Sequence, residues 1–204
     1  MDYAARRFRR RAMALVDVLL PHVYTRSCVE RCRDVLGGLL RARSRLRVAS
    51  LGGGPGCDFA ASLHVAGAAP AALGLGVAPA AVTCTVLDFE PAWESCVRAV
   101  DGSLRGAGSR VGLEPCDLTQ PFEGGVNARL REAVLEAHLV TFCYVLHEIA
   151  AALLREGGSP AAALLGGAVP GVLAHAAPGA VVVALDASGF RGQREGGTED
   201  SLQG

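Results

Sequence analysis

The sequence predicts an α/β fold: a mostly parallel central sheet with helices on both faces. Three observations lead there. From residue 47 to residue 186, short apolar runs alternate with helix-like stretches, the order that builds a parallel sheet through crossover helices. The runs at 82–87, 139–146 and 180–185 read as apolar throughout, as strands covered on both sides do. The run at 47–51 leads straight into a glycine-rich turn and then a helix, the arrangement in which a ligand can approach the carboxyl edge of such a sheet.

Taken in order, residues 4–20 place Phe8, Ala12, Leu15, Val16 and Leu19 on one helical face, with Arg6, Arg7, Arg9, Arg10 and Arg11 clustered at the start. Pro21 closes that helix. Ser27 with Glu30 three residues later forms a capping box, opening a second helix with Val29, Cys32, Val35, Leu36 and Leu39 inward; Gly37-Gly38 weakens its end. Strands are expected at 47–51, 82–87, 111–113, 139–146 and 180–185, and helices over 58–65, 91–104, 127–137, 147–155 and 160–176. The stretch 66–81, almost wholly Ala, Gly, Pro and Leu, reads as a low-complexity insertion. The chain thus divides into basic helices over 1–46, the α/β domain over 47–188 and a Gly-rich, flexible tail over 189–204.

Composition narrows the class. Hydrophobic residues make up 50% of the 204 and charged ones 20%, which is globular and not disordered. No apolar run reaches the ~18 residues of a membrane span. Every basic side chain is Arg, with a single Ile (Ile149) and a single Asn (Asn127); a GC-rich coding sequence imposes that bias, so Arg preference alone says nothing about nucleic acid. Placement says more. Residues 1–47 hold twelve Arg against four acids, and the remainder eight Arg against sixteen. Such asymmetry marks either a basic surface facing RNA or another anion, or a solvated helix face matched to the acidic half.

The seven cysteines (28, 32, 57, 84, 96, 116, 143) include no CxxC pair and sit in apolar context, as reduced core cysteines of an intracellular protein do. His147-Glu148 lacks the second His of HExxH, because Ala151 stands there; no metal site is expected. The first eleven residues lack the apolar core of a secretory signal. Their Arg content resembles a transit peptide, against which Asp2 and Asp17 count, so cytoplasm is the expected compartment and organelle targeting the alternative.

The sharpest signal is Val48-Ala49-Ser50-Leu51-Gly52-Gly53-Gly54-Pro55-Gly56-Cys57-Asp58. Gly52, Gly54 and Gly56 alternate between a strand and a helix, where the absence of Cβ and the freedom to take φ > 0 let a ligand lie against the backbone. A dinucleotide G-x-G-x-x-G fails because Cys57 occupies its last position, and a P-loop fails for want of any Lys.

The spacing is similar to the G-x-G-x-G loop of the class I, Rossmann-like S-adenosylmethionine-dependent methyltransferases, and four further segments in order extend the resemblance over about residues 47–186. The second strand ends at Asp88, where the family's acidic residue takes both ribose hydroxyls; a carboxylate suits that role because it only accepts. Glu90 is the lesser substitute. Cys116-Asp117-Leu118-Thr119-Gln120-Pro121-Phe122 resembles the adenine motif, implying contacts from Asp117 and the Leu118 backbone. The fourth strand, with Cys143, resembles the segment beside the methionine end, and Pro178-Gly179 resembles the turn before the fifth strand. The resemblance implies S-adenosylmethionine as cofactor, held by Ser50, Leu51, Gly52, Gly53, Gly54, Gly56, Asp58, Asp88, Phe89, Asp117, Leu118 and Cys143. Phe89 and Trp93 either wall the adenosine or pack in the core.

Departures from the family pattern accompany it. Ser50 stands where an acid is common, with Asp58 as the compensating residue or merely the start of a helix. His138 stands where an Asp commonly precedes the fourth strand. The sequence shows no counterpart of the family's last two strands, so the fifth strand is expected as a bare edge prone to self-association. Tyr144 and His147 are the candidates for a base near the reacting end, but core packing for Tyr144 and a helix start for His147 are the favoured readings; no catalytic residue is assigned. The acceptor is undetermined, with RNA favoured over protein or a small molecule on account of the basic N-terminal helices. The alternative is a truncated or inactive methyltransferase-like domain acting as a binding module.

Overall fold

Alternation of strand and helix patterns is realised as five parallel strands in the order β3-β2-β1-β4-β5. The computed structural model describes residues 2–20, 26–41, 44–78, 80–106, 108–155, 157 and 166–186, with the side chains of 2–7, 26–29 and 31–33 outside that description. The strands are β1 (Arg45–Leu51), β2 (Ala81–Asp88), β3 (Arg110–Pro115), β4 (Leu139–Cys143) and β5 (Val181–Leu185). The helices are α1 (Asp2–Leu19), α2 (Arg26–Leu40), α3 (Cys57–Ala72), α4 (Trp93–Leu104), α5 (Ala128–Glu136), α6 (Leu146–Arg155) and α7 (Val169–His175). The expected features at Arg6, Arg7, Pro21, Val29, Cys28, Cys32, 160–165 and 189–204 fall outside the described residues or side chains.

β1 is the central strand, and its alternating side chains split the core in two. Leu46 and Val48 join a cluster with Leu15, Leu39 and Phe59 from α1, α2 and α3. Ala49 and Leu51 join another with Leu130, Ile149 and Val172 from α5, α6 and α7. Both faces are thus covered, and the period-two split is what a doubly covered strand requires. Because α1 and α2 bury Leu15, Leu19, Leu36 and Leu39 in the same cluster as β1 and β2, the N-terminal helices share the core of the sheet. Among the described residues no helix is long and apolar enough to cross a membrane.

Five local expectations change, one of them the helix expected over 160–176: residues 166–168 are coil and turn, and among the described residues of that range only Val169–His175 is helical. The stretch after residue 65 is not an insertion at once: α3 runs on to Ala72, with Pro70 inside it, because Ala66, Ala69 and Pro70 are buried against the core and alanine favours the helix. β4 stops at Cys143 instead of reaching 146, since Tyr144 turns to φ 61 and Leu146 already opens α6. Val35 points outward, 43% exposed, while Leu36, Leu39 and Leu40 carry the buried stripe. β5 is an edge among the described strands, and it is not covered on both faces: Val183 is buried while Val182 is 37% exposed.

Candidate functional site

The carboxyl ends of β1, β2 and β4 open onto one cavity of about 800 Å³, whose wall includes Gly52, Gly54, Asp88, Asp117, Leu118 and Tyr144. That volume falls within the range that holds a small organic ligand. Its floor is the glycine turn. Gly52, Gly54 and Gly56 have φ of 62°, 52° and 89°, so all three alternate glycines use the left-handed region that disfavours side chains. What a Cβ would meet separates their roles. On Gly52 it would lie 2.3 Å from Val145 Cγ2, whereas on Gly54 its nearest neighbour is the Trp93 indole at 3.6 Å. Gly52 is therefore demanded by the protein's own packing, whereas a methyl on Gly54 would fit beside Trp93 at ordinary contact, on the cavity wall.

Beneath the turn lies a buried polar knot. Ser50 Oγ donates to Asp58 Oδ2 at 2.8 Å and Thr141 Oγ1 donates to the same oxygen at 2.5 Å, tying β1, β4 and the first turn of α3 together. Burial pushes the Asp58 carboxyl above its usual range, while the hydrogen bonds from Thr141 and Ser50 pull it back. Burial also raises the Cys57 thiol to about 12, with Asp58 adding to the rise, and raises Cys143 further for the same two reasons. These thiols stay protonated and unreactive. Ser50, Leu51, Asp58 and Cys143 are each at most 3% exposed and stand behind the cavity wall, where they hold the turn in shape; Gly53 and Gly56 complete the turn without lining the cavity.

On the β2 side, Asp88 is fixed through both oxygens. Gly54 N–H donates to Oδ2 and Glu90 N–H to Oδ1, each at 3.0 Å. A carboxylate has about four acceptor sites, so each oxygen keeps capacity for a hydroxyl donor from the cavity. Phe89 is 74% exposed on the cavity rim, which rules out core packing for it; Trp93 also reaches the wall.

The wall continues into the loop after β3, whose Cys116 N–H donates to the Asp88 carbonyl at 3.1 Å. Asp117 Oδ1 accepts from Thr119 N–H at 2.9 Å and Thr119 Oγ1 at 2.6 Å, leaving Oδ2 for a ligand donor. The loop is held by Asn127, fully buried, whose Oδ1 accepts from Asp117 N–H and whose Nδ2 donates to the carbonyls of Asp117 and Pro121. No sequence motif marks Asn127; its being the only Asn in the chain is the one signal of it.

At the end of β4 the strained Tyr144 precedes His147, which also lines the cavity. Asp186, just past β5, grips His147 twice: Oδ2 accepts from its backbone N–H at 2.7 Å, and Oδ1 lies 2.5 Å from Nδ1. A carboxylate only accepts, so Nδ1–H donates to Asp186, and Nε2 lies 3.9 Å from Glu148 Oε1. His138 lies elsewhere: its Nδ1 accepts from Arg47 N–H at 3.1 Å, at the amino edge of β1 and β4.

The N-terminal arginines divide between two ends of the molecule. Arg11, with Phe8, lines the cavity. Arg45 and Arg47, joined by Arg110, line a separate cleft of about 270 Å³ over the amino ends of β1–β3, where Arg47 also pairs with Glu136 at 3.4 Å.

No family model, curated protein or solved structure matches this chain.

Proposed function

We propose that the chain binds S-adenosylmethionine in this cavity and is a methyltransferase of the class I, Rossmann-like kind its motifs resemble. One observation carries the reading. Three alternate glycines at the end of the central strand all take positive φ, and the middle one donates its N–H to Asp88, joining the first two motifs into a single ligand-facing surface. A glycine turn serving only as a tight connection has no need of a carboxylate anchored beside its open face.

In this reading Asp88 accepts hydrogen bonds from the ribose hydroxyls, while Asp117 Oδ2 and the Leu118 backbone hold adenine. When bound, the cofactor supplies an electrophilic methyl group on a sulfonium. The protein's task is then to hold an acceptor in line with that methyl and to keep water away. Where the acceptor carries a proton, His147 Nε2 takes it, with Asp186 steadying the imidazolium. RNA is the favoured acceptor over protein or a small molecule, because Arg9 and Arg10 are exposed on the same turns of α1 that bring Phe8 and Arg11 to the cavity.

S-adenosylhomocysteine should raise the melting temperature and bind measurably by calorimetry; no binding at micromolar protein would end the cofactor reading. Asp88→Ala is expected to weaken that binding by about 1.5–3 kcal/mol, the range for hydrogen bonds to a charged group. An affinity equal to wild type would remove Asp88 from the site.

A further inference from the structure

We infer that Arg11 forms a carboxylate-binding subsite that receives the methionine carboxylate of the cofactor, so that a helix before the sheet completes the site. The assignment rests on the cofactor reading above and adds a residue that none of the motifs contains.

Asp88, Glu90 and Asp117 stand on the walls that follow β2 and β3 and the exposed Glu148 on α6, while Arg11 enters from α1. An anionic group is repelled by these carboxylates and drawn to the guanidinium. Arg11 is held over the Tyr144 ring, its guanidinium carbon 5.3 Å from the centroid, where the end of β4 turns away from the sheet. Its charge reaches the residues beneath the glycine turn, acting against the upward push of burial on Cys57, Asp58 and Cys143. A cation–π contact with an aromatic ring consumes none of the guanidinium N–H donors, which stay available to a planar anion. Among the described residues no carboxylate pairs with Arg11 within ion-pair distance. The other guanidinium on the wall, Arg155, is exposed and donates its Nε to the Ala151 carbonyl at 3.2 Å. A carboxylate fits the vacant edge of Arg11 through two parallel hydrogen bonds.

The test compares S-adenosylmethionine with its decarboxylated analogue, which keeps the adenosine, the sulfonium and the amine. Both are titrated by calorimetry into wild-type protein, Arg11→Gln and Arg11→Lys, with thermal melts confirming the fold of each. Wild type should prefer the carboxylate-bearing ligand by roughly 10- to 100-fold. The acids lining the cavity favour the more cationic analogue, so such a preference needs a specific cation. In Arg11→Gln the preference should fall to within about threefold through loss of S-adenosylmethionine affinity alone, and Arg11→Lys, which keeps the charge on a flexible stem, should retain part of it. A wild type that binds both ligands equally overturns the subsite, as does a preference unchanged in Arg11→Gln; both leave the cofactor reading standing. If wild type binds neither, the cofactor reading falls and takes the subsite with it.

Discussion

Replacing Asp58 with alanine is expected to lower folding stability by about 2–4 kcal/mol, since it leaves buried donors without an acceptor. The Ser50 and Thr141 hydroxyls meet on one oxygen of Asp58 from two strands, and at 1% exposure no water reaches the space to replace it. The effect should also carry a pH signature. Burial raises the Asp58 carboxyl above its ordinary value of 3.8, so the folded protein keeps that proton to higher pH than the unfolded chain. Within that window folding takes up a proton, and stability falls as pH rises toward the raised value. Asp58→Asn cannot titrate, so its stability should depend less on pH over the same interval. Denaturant unfolding at a series of pH values measures both slopes. Parallel curves for wild type and Asp58→Asn would contradict the raised carboxyl, and an Asp58→Ala protein as stable as wild type would deny the knot its structural role.

The glycine turn provides the second large effect, because its members should fail differently. Gly52→Ala forces a methyl to within 2.3 Å of Val145 Cγ2 at a φ of 62°. Left-handed strain of about 1–2 kcal/mol and overpacking of about 1–3 kcal/mol combine to a loss of about 2–5 kcal/mol of stability. Gly54→Ala suffers the strain without the clash, since its new methyl meets only the Trp93 ring at an ordinary 3.6 Å. That methyl stands on the cavity wall, so the stability cost should stay near about 1–2 kcal/mol while S-adenosylhomocysteine affinity drops by roughly tenfold or more. Melts and calorimetry on the two variants separate the effects. Equal loss of stability in both, or cofactor affinity untouched in Gly54→Ala, would show that the turn is not divided between packing and ligand approach.

Much of the fold was legible because the signals are local. Strands 47–51, 82–87 and 111–113 were placed within two residues of their observed bounds at each end, since alternation and flanking turns lie within a few residues. β4 was overextended because nothing in Cys143-Tyr144-Val145-Leu146 announces the positive φ at Tyr144; an apolar run reads alike as strand or as buried helix start. α3 was cut short because Pro70 and the following glycines outweighed, locally, the burial of Ala66 and Ala69 that keeps the helix going. β5 read as covered on both faces, yet composition cannot tell an edge strand with exposed Val182 from a central one.

The site divides along the same line. By itself the sequence determined that the chain alternates strand and helix around a parallel sheet. It also determined that the central strand ends in three alternate glycines, and that acids close the second strand and open the loop after the third. These are consequences of backbone conformational freedom and of side-chain period, which act between near neighbours. Only the tertiary structure decided which of those residues face the cavity and which stand behind it. It buried Asp58 under Thr141, 83 residues away, and brought Asp186 to His147 across 39 residues. It also carried Arg11 from the first helix to the mouth of a pocket built from the sheet. Those pairings depend on strand order and on helix packing over the sheet, and a spacing along the chain holds no record of either.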